Sequence, residues 1–258
     1  MARTERDDLG REVTLPDEVR RVVSLVPSLT EAIAATDREL LVAATDWCTH
    51  PADLDVERVR GTKNPDTRRI AGLRPDLVVV NKEENRELDV RRLTQAGVPV
   101  WVTVIEDVDT ALTSLDRLIT VALRRPIPPW LTEAHRQLDG SSPAPEASAL
   151  VCIWRDPWMV VGSRTFTTDL LARVGVANVY ADHADRYPKQ DLDQLLAAGA
   201  DLIVLPDEPY VFTPDDGPEC FPAKQVRLVS GRVLTWYGPS LATAVPVLRD
   251  QLGLPPAT

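Results

Sequence analysis

The amino-acid sequence predicts an α/β protein made of two Rossmann-like lobes with parallel-type sheets, joined by a single interlobe helix. Short apolar runs alternate with amphipathic segments along the chain, which is typical of parallel strands linked by crossover helices. This alternation stops once, at Pro126, Pro128 and Pro129, and then restarts. A single interruption predicts two lobes that the chain builds one after the other.

The first half of the chain contains four predicted strands and four predicted helices. The strands are 21–26, 40–45, 76–80 and 98–104, and the helices are 29–35, 68–73, 85–96 and 107–123. The run 77–80 is wholly apolar, as expected for a strand buried on both faces. Helix 29–35 is expected to begin after Ser28 as its N-cap, with Glu31 in the capping-box position. Apolar residues recur every three or four positions through 107–123, which predicts one amphipathic helix.

The second half begins with a short helix, 130–138, fenced by prolines, and a linker, 140–145. Strands 149–154, 158–161 and 201–205 follow, with helices 167–174, 191–198 and 240–252. A hairpin is predicted over 227–236, turning at Ser230 and Gly231. The predicted domain boundaries are therefore 1–125 for the N-terminal lobe, 126–147 for the interlobe helix and linker, and 148–258 for the C-terminal lobe.

Composition narrows the possible functions. The 258-residue chain carries a net charge of −10 and only scattered arginine pairs, so nucleic-acid binding is not expected. No apolar run is long enough to cross a bilayer, and the charged N-terminus lacks a signal-peptide pattern. Three cysteines without close spacing fit a reducing compartment. We expect a cytoplasmic monomer that binds a small-molecule ligand, or an exported protein whose leader was removed.

Large aromatic residues stand at the ends of predicted strands in both halves of the chain. Trp47 follows the apolar run 40–44, Trp154 follows 149–152, and Trp236 and Tyr237 follow 232–234. Ligands of open α/β sheets bind outside the carboxyl ends of the strands. We therefore predict that Trp47 and Trp154 face each other across a cleft and close on a flat or bulky ligand. Trp158 could line this pocket or equally belong to the core.

Polar residues follow the same strand ends: Lys63, Asn64, Asn81, Lys82 and Glu83. Exposed loops are commonly charged, and Glu83 or Glu84 could instead cap the next helix. Arg155, beside Trp154, could hold a ligand carboxylate or phosphate in bidentate fashion, or pair with Asp156.

A metal site or a catalytic centre is not predicted. The three histidines, His50, His135 and His183, lie in different segments, whereas a closed transition-metal site needs three or four convergent ligands. His50 could be an axial ligand to a chelated metal or an ordinary loop histidine. The chain also lacks a strand-turn-helix nucleophile motif.

Eight segments of the chain together resemble the helical-backbone (class III) substrate-binding proteins of ABC importers, and most of all their cobalamin-binding branch. The segments are 8–16, 21–31, 45–48, 61–65, 81–86, 153–158, 205–210 and 236–238, with the motifs TDWC, GTKNP, NKEENR, IWRDPW, LPDEPY and WYG in the last six. The resemblance implies the fold of a periplasmic binding protein, with a ligand held between two lobes and no catalysis.

The resemblance also implies which residues contact the ligand. Trp47 aligns with an aromatic residue of the cobalamin pocket, Trp154 and Tyr187 fall near two others, and Thr62 and Asn81 stand where the cobalamin binder has tryptophans. The expected ligand is a large chelate or a tetrapyrrole-like molecule, with cobalamin or cobinamide as first choice. The predicted ligand-binding residues are Trp47, Lys63, Asn64, Asn81, Lys82, Glu83, Trp154, Arg155, Trp158, Tyr187, Glu208, Tyr210, Trp236 and Tyr237.

Three departures from the family pattern bear on partners. The chain shows no leader, its joining helix is short, and Arg68 stands where the family has an acidic residue that docks onto arginines of the permease. Asp193, the second such position, keeps its charge. Because a like-charge contact rejects a partner, docking to an ABC permease is doubtful. The proline- and acid-rich segment 212–222 also departs from the pattern and could form a lid.

Three functions remain open at this point. The first is an intracellular carrier, sensor or store for the ligand, and the second is an importer receptor without its leader. The third is an enzyme that uses a cluster of polar residues for acid–base work: Lys63, Lys82, Glu83, Glu84, Arg155 and Glu208. A carboxylate or lysine with a perturbed pKa in this cluster would favour the enzyme.

Overall fold

The computed structural model describes residues 2–140 and 142–256, which divide into two compact units. The first unit runs to Ile105 and also contains Thr110–Thr132 and Tyr237–Pro239. The second contains Glu106–Asp109, Glu133–Trp236 and the residues from Ser240 onward. The predicted lobes 1–125 and 148–258 thus fall largely in separate units, although two short segments are exchanged between them.

The first unit is built on a parallel sheet. Its strands are β1 (Ala2–Arg6), β2 (Glu12–Pro16), β3 (Val22–Ser24), β4 (Leu41–Ala44), β5 (Glu57–Arg58), β6 (Arg60–Gly61), β7 (Asn64–Pro65), β8 (Leu77–Asn81) and β9 (Val100–Thr103). Its helices are α1 (Pro27–Asp37), α2 (Thr67–Gly72), α3 (Glu87–Gln95) and α4 (Val108–Asp116). Five strands form the sheet in the order β5-β4-β3-β8-β9, all parallel, while β1 pairs with β2 and β6 with β7 in antiparallel fashion.

The second unit repeats this design with fewer helices. Its strands are β10 (Ala147–Trp154), β11 (Met159–Val160), β12 (Val176–Asn178), β13 (Leu202–Pro206) and β14 (Gln225–Val229). The helices are α5 (Pro129–Leu138), α6 (Phe166–Val174), α7 (Leu192–Ala197), α8 (Gly231–Thr235) and α9 (Ala244–Leu252), and the division between the units falls inside α5. Strands β12, β13 and β14 run parallel to their neighbours, and β11 pairs antiparallel with the end of β10.

Each sheet has one point at which the direction of strand addition reverses. In the first unit the chain adds β4 and β5 on one side of β3 and then returns to place β8 and β9 on the other side. In the second unit β11 and β12 lie on one side of β10, whereas β13 and β14 extend the sheet on the other. Crevices that bind ligands form outside the carboxyl ends of strands at such reversals. The ends of β3 and β8, and of β10 and β13, are therefore the positions to examine.

The core of each unit comes from the strands that the sequence marks as apolar. All five residues of β8 are buried, as are all five of β13, which fits strands covered on both faces. The α/β class with parallel sheets is confirmed. The predicted helix 107–123 is two segments, α4 and a π-helical turn over Arg117–Ala122, because a wider turn interrupts its regular periodicity.

Two local predictions are wrong. Ser28 does not cap α1, because the helix already begins at Pro27 and Val26 is its N-cap. Proline suits the first helical position, where its fixed φ is favourable and its missing N–H is not needed. Ser230 and Gly231 do not turn a hairpin. Ser230 instead caps α8, and its Oγ accepts a hydrogen bond from the amide of Val233 at 3.4 Å.

Phe221 should contribute strongly to the stability of the second unit. Its ring is 1% exposed and packs edge-on against Trp158, with 5.4 Å between the ring centroids. Replacing Phe221 by Ala should lower the free energy of unfolding by ~3–5 kcal/mol, because a cavity replaces a buried ring. Chemical denaturation measures this change, with the exposed Val211→Ala as a control expected to alter stability little. A loss for Phe221→Ala as small as the control's would contradict this account of the core.

Candidate functional site

A buried amide holds together the carboxyl edge of the sheet in the first unit. The Asn85 side chain accepts a hydrogen bond from the amide of Asn81 at 2.9 Å. Its Nδ2 donates to the carbonyl oxygens of Leu25, at 3.2 Å, and Thr62, at 3.0 Å. These contacts join the chain after β3, the loop between β6 and β7, and the end of β8. Sequence reasoning did not select Asn85, whose only signal was an amide placed between a buried strand and a helix.

Asn81, the last residue of β8, is committed to the same framework. Its Nδ2 donates to Thr103 Oγ1 at 3.1 Å, and its Oδ1 accepts from the amide of Glu83 at 2.8 Å. The Asn81 side chain is buried. The polar atoms of Asn81 thus fix the turn after the strand, and its predicted contact with the ligand stays a prediction.

Trp47 lies on the surface of the first unit, just after β4. Its side chain is 66% exposed. The indole passes close to the backbone of Gly61, where an added Cβ would come within 3.2 Å of Trp47 Nε1 and 2.5 Å of Asn64 Oδ1. Glycine at this position therefore lets Trp47 and Asn64 lie side by side. Most of the indole surface is exposed and can contact a ligand. The prediction that Trp47 and Trp154 both stack on the ligand requires this of Trp47.

Charged side chains surround this surface. Lys63 Nζ donates a hydrogen bond to the carbonyl oxygen of Glu83, and Lys82 is exposed. Burial raises the pKa of Glu84; the nearby Lys63 ammonium opposes this shift, and the Glu83 carboxylate adds to it. Helix α3 begins at Glu87, so the alternative that Glu83 or Glu84 caps it is wrong.

Trp154 ends β10 in the second unit and is 42% exposed. Tyr210 packs edge-on against it, with 5.6 Å between the ring centroids and 78° between the planes. The Tyr210 hydroxyl donates to Asp216 Oδ2 at 2.6 Å, and this hydrogen bond raises the pKa of Tyr210 and keeps the phenol neutral. Trp154 and Tyr210 together form an aromatic corner with a carboxylate directly beside it.

Arg155 is held by carboxylates of its own chain. Its Nη1 donates to Asp216 and, at 2.6 Å, to Glu219, while Nε lies 3.7 Å from Asp156. The Glu219 hydrogen bond raises the pKa of the guanidinium, although burial opposes the shift. We call Arg155, Asp156, Asp216 and Glu219 the Arg155 cluster. Both hydrogens of Arg155 Nη1 are therefore used within the chain, while the predicted contact of Arg155 with a ligand stays a prediction.

Trp158 lies in the core of the second unit, which favours the core interpretation over the pocket interpretation of this residue. It is 7% exposed, stacks on Phe212 with 5.9 Å between centroids, and packs edge-on against Phe221. The Arg155 guanidinium lies over the same ring at 5.6 Å. Phe212 and Phe221 also anchor both ends of the segment 212–222, so the expectation that this segment forms a lid is corrected to an anchored loop.

The remaining predicted residues lie at several places. Tyr187 is half-exposed. Its neighbour Pro188 accepts a hydrogen bond on its carbonyl from the amide of Val160 in β11, at 3.1 Å, which places Tyr187 beside that strand. Glu208 follows β13 and lies against Gly231, where an added Cβ would come within 2.4 Å of Glu208 Cγ. Trp236 and Tyr237 are buried. The ligand contacts assigned to these four residues stay predictions.

Residues 2–140 and 142–256 contain no group of three or more histidine, cysteine or acidic side chains able to hold a metal ion. His50 Nδ1 lies 3.1 Å from Thr49 Oγ1. The three cysteines are free thiols, and Cys152 is buried in β10 as expected for a core residue. Within the same described ranges, no helix is long and apolar enough to cross a membrane.

The raised pKa of Glu84 makes stability depend on pH in a defined direction. The pKa of Glu84 in the folded protein lies above the ordinary 4.5. The stability contributed by protonated Glu84 is therefore fully present below pH 4.5 and is lost as the pH rises through the folded-state pKa. Glu84→Gln stays neutral throughout, so the variant should be more stable than the native protein at neutral pH and lose this advantage near pH 4. Thermal melts across pH measure the difference.

The matched control for this experiment is Glu39→Gln, which changes an exposed glutamate of the same unit. It should leave the pH dependence of stability nearly unchanged. A native protein that is more stable than Glu84→Gln at neutral pH would show that the attraction to Lys63 outweighs burial.

Comparisons with known proteins agree with the fold. No protein-family model matches the chain. A vitamin B12-binding protein of Yersinia pestis is 24% identical over 204 residues, which cover 75% of this chain and 72% of that protein. The periplasmic vitamin B12 binding protein BtuF of Vibrio cholerae superimposes with a TM-score of 0.73 at 19% identity, covering 92% of this chain and 98% of that one. A periplasmic heme binding protein of Pseudomonas aeruginosa gives 0.73 at 20% identity, covering 93% and 95%.

Proposed function

We propose that this chain, which belongs to the helical-backbone family of ABC-importer substrate-binding proteins, binds a large flat metal macrocycle, with cobalamin or cobinamide as first choice. The three relatives named above are described as binding vitamin B12 or heme, and both of these ligands are metal macrocycles. Stacking on aromatic side chains supplies affinity for such a ring, and polar groups set its orientation. No catalytic step is needed.

The observation that carries the proposal is that each of the two sheets has an exposed indole near the carboxyl end of a strand. Trp47 follows β4, which pairs with β3 at the reversal of the first sheet. Trp154 is the last residue of β10, the strand at the reversal of the second sheet. Tryptophan is enriched at binding interfaces, because its ring offers a large apolar face together with a polar N–H. Each indole therefore supports the assignment of its own strand end as a ligand-contacting surface.

A second candidate is an enzyme that uses the first unit's polar edge, and one observation favours it. The carboxyl of Glu84 has a raised pKa beside Lys63, which is the combination that proton transfer requires. Two observations argue against an enzyme. Lys63 donates a hydrogen bond to a backbone carbonyl, and the polar atoms of Asn81 bond to Thr103 and to the turn after β8. Binding without catalysis is the better supported function.

Removing either exposed indole should weaken the binding of dicyanocobinamide. Trp47→Ala and Trp154→Ala should each cost ~1–3 kcal/mol of binding free energy, because a stacking surface is lost. Replacement of Trp47 by Phe should restore part of the affinity, since a smaller aromatic face remains. Isothermal titration calorimetry with dicyanocobinamide, cyanocobalamin and hemin measures these changes.

Leu88→Ala is the control for this experiment, because Leu88 is exposed to the same extent as Trp154 but lies on α3. It should bind each ligand as the native protein does. If all three ligands fail to bind to the folded native protein, the proposed function is wrong. If they bind but neither tryptophan variant is weakened, the assignment of the stacking surfaces is wrong.

We further propose that the chain does not serve a vitamin B12 permease. Arg68 is exposed on α2, where the family carries an acidic docking residue, while Asp193 is exposed on α7. Arg68→Glu should therefore raise the affinity for a reconstituted permease above that of the native chain. Arg91→Glu, the same charge change on α3, is the control. Strong docking by the native protein at physiological salt would contradict the proposal. The expected cytoplasmic location stays a prediction.

A further inference from the structure

The charge beside Trp154 bears on which macrocycle this protein selects. Cobalamin and cobinamide carry amides around their ring, whereas heme carries two carboxylates. Both present a conjugated metal macrocycle that can pack against an indole. Polar groups next to the indole can discriminate between their rims, and in the second unit those groups form the Arg155 cluster.

The Arg155 cluster has more negative than positive charge. One guanidinium, that of Arg155, is paired with three carboxylates, Asp156, Asp216 and Glu219. One positive charge against three negative charges leaves a net charge of −2. Burial alone would raise the pKa of Glu219, yet the hydrogen bond from Arg155 lowers it, so this carboxylate stays ionised at neutral pH. Asp216 and Glu219 both accept hydrogen bonds from Nη1 of this guanidinium, so its charge is shared among carboxylates of its own chain.

The cluster is in direct contact with the aromatic corner. Tyr210 packs on Trp154 through its ring and donates its hydroxyl proton to Asp216 at 2.6 Å. Asp156, two residues after Trp154, is 88% exposed. A ring stacked on Trp154 therefore places its rim near carboxylates that can accept hydrogen bonds and that repel anions.

We propose that the second unit selects amide-bearing, neutral or cationic macrocycles and rejects those that carry carboxylates. The inference rests on the proposed function and adds the class of ligand. Amide N–H groups on the rim can donate to Asp156, Asp216 or Glu219, and such charge-assisted bonds are strong. Carboxylates at the same positions meet three like charges against a single guanidinium, which disfavours binding.

Two corrinoids with the same ring test this preference. Dicyanocobinamide carries amides where dicyanocobyrinic acid carries carboxylates. The native protein should bind the amide form roughly tenfold or more tightly at low ionic strength, because like charges at an interface oppose binding. The ratio should shrink as salt is added, since the carboxylates of the cluster are partly exposed and salt screens them. Calorimetric titrations at two salt concentrations give the ratio.

Variants assign the effect to the cluster. Asp216→Asn combined with Glu219→Gln frees Arg155 and removes two negative charges, so the preference should fall several-fold. Asp156→Asn is a gentler test at an exposed position and should shift the ratio in the same direction by less. Asp53→Asn, an exposed carboxylate of the first unit, should leave the ratio unchanged.

The outcomes separate the two proposals. If neither corrinoid binds to the folded protein, the proposed function fails and the preference fails with it. If both bind and the carboxylate form binds as tightly as the amide form, only the charge preference is overturned. A preference that persists in both cluster variants would also overturn it, because the selection would then come from another part of the protein.

Discussion

The carboxyl edge of the first sheet depends on one neutral side chain, the amide of Asn85. Its three hydrogen bonds reach the chain after β3, the loop that carries Thr62, and the end of β8. A buried backbone group without a partner costs free energy comparable to a lost hydrogen bond, so these segments are held where the amide can satisfy them. The loop that positions Lys63 and Asn64 beside Trp47 follows directly from this attachment.

In the second unit, ion pairs rather than an amide hold segments together at the carboxyl edge of the sheet. Arg155, one residue after β10, is tied to Asp216 and Glu219, and its guanidinium covers the Trp158 ring. An amide framework holds its geometry regardless of pH and salt, whereas an ion-pair cluster also sets a local electrostatic potential. The two edges therefore contribute differently: the first is a neutral scaffold for an exposed indole, and the second combines an indole with a net negative surface.

The strands and the exposed tryptophans could be predicted from the sequence where a local residue pattern agrees with the burial that the pattern implies. The apolar run 77–80 lies in β8, as predicted, and the tryptophans after two strand-like runs are exposed near strand ends. The predictions that failed depended on distant partners. Trp158 joins the core because Phe212 and Phe221, more than fifty residues later, pack on it. Nothing adjacent to Arg155 in the sequence indicates that Asp216 and Glu219 will accept hydrogen bonds from its Nη1.

Local signals also failed where two of them competed. Ser230-Gly231 is a good turn sequence, yet Ser230 is equally suited to capping a helix, and packing of α8 against α6 and α9 decides between them. The structural role of Asn85 could not be predicted from the sequence, because an amide in a charged loop gives no sign that it will be buried. The structure adds what the sequence lacks, namely which polar groups have already been satisfied.

This distinction explains how such a fold can change its ligand class at little structural cost. Stacking on an exposed indole favours any flat ring, so the scaffold and the tryptophans can stay constant while the rim groups select the ligand. In the second unit those groups lie on a loop whose ends are fixed by Phe212 and Phe221 in the core. Substitutions at Asp216 or Glu219 change the charge beside Trp154 without altering these anchors. Selectivity and stability therefore depend on different side chains of the same segment.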